Sequence, residues 1–133
     1  MTENELATQV VDAAIAVHRA FGPGLLECVY EGALVVEIES RGLKVERQVP
    51  IPVRYRGIEL GEAFRADLIV EEKLLLELKS VEVSPPVHKK QVLTYLRLTG
   101  RRLGLLLNFG AVRMADGVTR LVNGLPESDS PEE

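Results

Sequence analysis

Residues 64 to 79, FRADLIVEEKLLLELK, hold two runs of alternating character separated by a charged turn. Successive side chains of a strand point to opposite faces. In the second run Leu74, Leu76 and Leu78 therefore share one face, and Glu77 and Lys79 the other. In the first run Ala66, Leu68 and Val70 share a face, with Asp67 opposite. Joining the two apolar sets into one layer requires cross-strand partners whose numbers sum to an even value, which sets Asp67 opposite or nearly opposite Glu77. A two-residue turn at Glu71-Glu72 would instead pair Asp67 with Leu76, put the carboxylates on opposite faces and break the apolar layer. An odd-length loop or a bulge is predicted.

Two carboxylates at neighbouring positions repel unless a cation lies between them, and hard divalent cations take oxygen ligands from such acids. Lys79, two residues along the same face, can then hold an attacking water or offset charge on a phosphate.

The flanking chain supplies helices. Thr2 to Glu5 reads as a capping box, followed by Leu6, Val10, Ala13, Ala14, Val17 and Phe21 at helical spacing. His18, beside that stripe, reads as a structural, hydrogen-bonded histidine. Gly22-Pro23-Gly24 ends the helix. A second helix is predicted from about Leu25 to Arg41, burying Leu26, Val29, Tyr30, Ala33, Leu34 and Ile38, with Glu31, Glu37 and Glu39 solvated. Glu27 sits in its first turn, where the helix dipole favours an acid. The lone Cys28 has no intrachain partner and is predicted to be a packed core thiol rather than a nucleophile.

From Lys44 to Tyr55 apolar residues alternate with polar ones, but Pro50 and Pro52 cannot donate to a ladder, which points to a sheet edge. A turn at Arg56-Gly57 leads into Ile58 to Val70, with Ile58, Leu60, Phe64, Ala66, Leu68 and Val70 on one face. After the site hairpin, Ser84-Pro85 reads as a helix cap and first residue. That helix, closed by Gly100, packs through Val92, Leu93 and Leu96. His88, Gln91 and Tyr95 form a second stripe, with Gln91 and Tyr95 predicted to face the acids. Leu103 to Phe109 is almost wholly apolar, as in a strand buried on both faces, so Leu74 to Phe109 reads as a parallel strand-helix-strand crossover. Val112 to Val122 reads as a last hairpin turning at Ala115-Asp116-Gly117. Beyond Asn123 the Pro-, Ser- and acid-rich tail is expected to be disordered.

The order helix, helix, three strands, helix, strand, strand gives an α/β sandwich, a mixed sheet with helices on its faces, formed by one domain over 1–123. No apolar run reaches the ~20 residues of a membrane helix, and the acidic N-terminus is unlike a signal peptide, so a cytoplasmic location is the default expectation. A net charge of −4 argues against a broad nonspecific grip on duplex nucleic acid. The charge is uneven, however. Residues 1 to 40 hold seven acids against one arginine, whereas residues 85 to 122 hold seven Lys or Arg against Asp116. That split makes either one basic surface or a solvated helix and loop.

Asp67 followed by Glu77-x-Lys79 resembles the PD-(D/E)xK nuclease superfamily, with Ala66 where the superfamily's name has proline. Gly24-Leu-Leu-Glu27-Cys-Val-Tyr30 resembles the motif that names its GxxExxY family. Gln91-Val-Leu-Thr-Tyr95 and Gly104-Leu-Leu-Leu-Asn108-Phe109-Gly110 resemble the helix and strand that follow in that family. The resemblance spans about residues 6 to 122. It implies a restriction-endonuclease-like sandwich and a Mg²⁺- or Mn²⁺-dependent phosphodiesterase acting on DNA or RNA. Asp67, Glu77 and the Leu78 carbonyl would bind metal, with Glu27 closing the site directly or through water. Lys79 and Gln91 would complete the catalytic set, while Tyr95, His88, Lys89 and Lys90 would meet substrate. A second copy of the chain is a further candidate partner. Two other readings stand beside this one: a catalytically silent nuclease-fold module for binding or assembly, and a plain ion-pair cluster.

Overall fold

The computed structural model describes residues 1–62 and 64–125; most of the stretch expected to be disordered, 126–133, lies outside them. Leu125 packs against the core, so the ordered chain runs slightly past the boundary set at Asn123.

Helix α1 (Glu3–Phe21) begins on the predicted capping box. The Glu5 amide donates to Thr2 Oγ1 at 3.1 Å, and the Thr2 amide to Glu5 Oε1 at 2.8 Å. Leu6, Val10, Ala13, Ala14 and Val17 are buried, whereas Phe21 at the last turn is half exposed. His18 is structural: its Nε2 meets the Ala111 carbonyl at 2.8 Å.

Helix α2 (Glu27–Ser40) departs from its predicted face. Tyr30, Leu34 and Ile38 are buried as expected, but Leu26, Cys28 and Val29 are exposed. The buried side is rotated toward Glu31 and Val35, because Glu31 has a partner that periodicity cannot show. Its Oε2 accepts from Arg47 at 3.1 and 3.3 Å, and its Oε1 accepts from Gln48 at 2.7 Å. Glu31 is thus buried and paired rather than solvated.

Five strands form the main sheet: β1 (Val45–Ile51), β4 (Phe64–Val70), β5 (Leu74–Lys79), β6 (Leu103–Asn108) and β7 (Val118–Val122), in the order β1-β4-β5-β6-β7. The proline-bearing β1 lies at an edge, as predicted. Helix α3 (Pro86–Thr99) links β5 to β6 as a parallel crossover, and all other pairs are antiparallel. α1 and α2 cover one sheet face over the larger core. α3 covers the other over a smaller one of Ile51, Ala66, Ile69, Leu75, Val92, Tyr95, Leu96 and Leu106. This is the mixed α/β sandwich of a restriction-endonuclease-like fold. No helix among the described residues is long and apolar enough to cross a membrane.

Three local differences have identifiable causes. Residues 58–70 do not form one strand: β2 (Arg54–Tyr55) and β3 (Ile58–Glu59) make a separate ribbon around a turn at Arg56 and Gly57, both at positive φ, so Ile58 and Leu60 are exposed. Met114–Gly117 is a single 3-10 turn, so only the second half of the predicted last hairpin is a strand. α3 begins at Pro86 with Pro85 as its cap, while the Ser84 hydroxyl bonds His88 Nδ1 at 2.8 Å instead of capping the helix.

Candidate active site

Leu68 pairs with Leu76, Ile69 with Leu75 and Val70 with Leu74, the even-summed register, closed by the three-residue loop Glu71, Glu72 and Lys73. Glu71 and Glu72 both take positive φ to make that turn. Leu68, Val70, Leu74, Leu76 and Leu78 face the α1–α2 core as predicted, but Ala66 packs on the α3 side. The reason lies in β1. Gln48 is at φ 49°, and the β1–β4 pairing skips Gln48 opposite Asp67. The faces of both strands exchange there: Val45 packs on the α1–α2 core, and Val49 and Ile51 on the α3 core.

Beyond Leu76 the β4–β5 ladder gives way to side chains. The Asp67 amide donates to Glu77 Oε1 at 3.0 Å, and the Leu78 amide donates to Asp67 Oδ2 at 2.8 Å. Each carboxylate thus satisfies a main-chain donor of the opposite strand, which fixes both side chains in the gap. Glu77 is nearly fully buried. That burial, with the negative charge of Asp67 beside it, pushes its carboxyl up to about 8, against a smaller pull from Lys79.

α3 supplies the wall. Burial, then the charges of Glu77 and Asp67, raise the Tyr95 hydroxyl above its ordinary range, and a hydrogen bond with Gln91 opposes the shift. Tyr95 therefore lies within reach of both acids' charges, with Gln91 bonded to it. His88 is held below its usual value by burial and then by the Lys79 charge, with Glu27 pulling the other way. His88 thus feels the charges of both Lys79 and Glu27. Among the described residues no group of three or more acids, histidines and cysteines could hold a metal ion, and the Glu27 charge is felt at His88. Lys89 lines a different hollow, with Asn108, Asp116 and Thr119, and Lys90 is exposed on the outer side of α3.

Several positioning bonds are not predicted from the sequence. The buried Tyr30 stacks on Phe109, with ring centroids 4.6 Å apart. Its hydroxyl donates to the Gly22 carbonyl and accepts from the Leu25 amide. Ser80, next after Lys79, donates to the Leu25 carbonyl at 2.6 Å. These bonds tie the loop that carries Glu27 to the end of β5, and Gly24 at φ 103° lets that loop turn. Asn108 Oδ1 accepts from the Val81 and Gly110 amides, and its Nδ2 donates to the Val81 carbonyl. A Cβ at Gly110 would lie 2.2 Å from the Val81 carbonyl oxygen, so only glycine fits. The one polar residue closing an apolar strand, followed by Phe-Gly, was the available signal. Tyr30→Phe strands the Gly22 carbonyl and the Leu25 amide. It is expected to cost about 1–3 kcal/mol, read as a lower urea midpoint at unchanged m-value; an unmoved midpoint would remove the anchoring role.

The model of the PD-(D/E)XK nuclease superfamily matches residues 4–121. The chain belongs to that superfamily. PD-(D/E)XK nucleases generally use divalent metals. No curated protein matches the chain. The crystal structure of SSO0001 is similar at a TM-score of 0.44 and 15% identity, over 92% of this chain and 68% of that one.

Proposed function

We propose that this PD-(D/E)XK chain is a Mg²⁺- or Mn²⁺-dependent phosphodiesterase that cuts nucleic acid. The supporting observation is the Asp67–Glu77 pair: two carboxylates interlocked across splayed strands, one of them pushed up to about 8 by burial and by the other's charge. Such a pair retains a proton where a divalent cation would relieve it, so the donor set fits a hard cation. Asp67 and Glu77 hold the metal in this reading, with the Leu78 carbonyl, and Glu27 acts from the His88 side through water. Bound there, the cation supplies Lewis-acid stabilisation for the charge gathering on the phosphoryl oxygens. Lys79 orients the attacking water and offsets charge. Gln91 steadies Lys79 or the phosphate, Tyr95 remains a protonated donor at neutral pH, and neutral His88 offers a hydrogen bond to substrate.

Gly24, Glu27 and Tyr30 support placement in the GxxExxY family, because the three residues turn, charge and anchor one loop beside the acids. A cytoplasmic setting belongs to the same proposal. The test is cleavage of end-labelled single-stranded and duplex DNA and RNA with Mg²⁺, Mn²⁺ or EDTA. Cutting of at least one substrate only with metal is the expected result. No cutting of any, with Mn²⁺ still bound by calorimetry, would transfer the site to a silent assembly module.

A further inference from the structure

We propose that the notch between the β2–β3 ribbon and α3 is a phosphate-backbone subsite, seating nucleic acid beside the acid pair rather than at it. The identity of the ligand rests on the nuclease reading above.

The ribbon lies outside the five-stranded sheet, and Arg54, Tyr55, Ile58 and Glu59 are all exposed. It buries nothing, so the core does not explain its residues. Two main-chain bonds hold its base, from the Val53 amide to the Gly61 carbonyl at 3.1 Å and from the Leu60 amide to the Val53 carbonyl at 2.8 Å. Arg54 pairs across the ribbon with Glu59, and Tyr55 with Ile58. The first pair shares one ribbon face and the second the other.

Arg54 meets α3 in an open groove of about 460 Å³, lined by Pro52, Arg54, Arg97 and Leu98. Two guanidinium groups therefore face one hollow. The Glu59 carboxylate is 3.9 Å from Arg54, with both side chains mostly exposed, which neutralises it weakly. Arg97 has no carboxylate partner among the described residues. Like charges gathered around a concavity are relieved by an anion between them, and the planar fork of arginine matches phosphate oxygens.

The placement ties the groove to the acids. Arg97 lies two residues beyond Tyr95, whose ring packs on Phe64 at 5.4 Å between centroids and whose hydroxyl feels Glu77 and Asp67. Pro52 follows Ile51, which belongs to the same α3-side core as Ala66 and Tyr95. Groove and acid pair thus both lie on the α3 side of the sheet, the groove against Arg97 and Leu98 and the acids within reach of Tyr95.

Fluorescence polarisation of labelled short DNA and RNA, single-stranded and duplex, tests this on the full chain with Ca²⁺ replacing Mg²⁺. Each phosphate contact contributes roughly 0.7–0.9 to the slope of log affinity against log salt. Arg54→Gln and Arg97→Gln are each expected to lower the slope by about that amount between roughly 50 and 200 mM salt, weakening binding several-fold uniformly across sequences. Arg97→Lys should retain most of the slope, and Arg19→Gln, on exposed α1 surface of the opposite layer, should change nothing. An unaltered slope and affinity in the Arg54→Gln, Arg97→Gln double variant would overturn the subsite, as would a wild type that binds none of the probes. Loss of binding in the double variant of a chain that never cuts would retain the subsite and remove only the nuclease reading. A changed oligomeric state by light scattering, with oligonucleotide binding intact, would assign the notch to a protein interface instead.

Discussion

Asp67→Ala and Glu77→Ala are each expected to abolish both Mn²⁺ binding and metal-dependent cutting, whereas Lys79→Ala retains the metal and loses turnover. The two acids interlock, so removing either also releases a main-chain donor of the other strand, the Leu78 amide for Asp67 and the Asp67 amide for Glu77. Lys79 differs because it contributes positive charge beside two carboxylates. Deleting it should hold or raise metal affinity while lowering turnover by about a hundredfold or more, the scale of removing one group that stabilises transition-state charge. Calorimetry with Mn²⁺ and single-turnover cleavage separate the two effects. Wild-type activity in Lys79→Ala would point to a contaminating nuclease or a different mechanism.

Glu77 is expected to impose an unusual pH dependence on the metal-free protein. Its carboxyl titrates near 4.5 when unfolded and near 8 in the folded chain. Between those values the folded state binds a proton that the unfolded state has released, so stability is greatest below about 4.5 and is lost as pH rises toward 8. At about 1.4 kcal/mol per unit the loss amounts to a few kcal/mol. Glu77→Gln should flatten the profile and be the more stable form at pH 8. Divalent metal should reverse the slope, because binding expels the proton, and calorimetry in buffers of different ionisation enthalpy would register that release. A metal-free profile identical in wild type and Glu77→Gln would show that the buried carboxyl does not hold the proton.

The hairpin was legible because its information is local: the alternation of Leu74, Leu76 and Leu78 with Glu77 and Lys79 fixes the register and, through it, the length of the loop. The capping box and the crossover from β5 to β6 were legible for the same reason. Ala66 was not, since its face depends on a left-handed residue in another strand, Gln48. The α2 face was misplaced because the pattern counts Glu31 as polar, while Arg47 and Gln48 make it a buried partner. Glu27 reads as an acid in a first turn in either case. Only the ties from Tyr30 and Ser80 show that its loop is anchored to the end of β5.

The interruption of β1 also bears on self-association. An exposed sheet edge recruits further strands when it offers an unbroken row of amides and carbonyls. Here the outermost strand turns left-handed at Gln48, has no amide hydrogen at Pro50 and ends one residue before Pro52. A second molecule therefore finds no continuous ladder along that border, which protects the chain from fibre-like stacking there. The left-handed residue at which the strand faces exchange opposite Asp67 and the device that blunts the edge are one and the same.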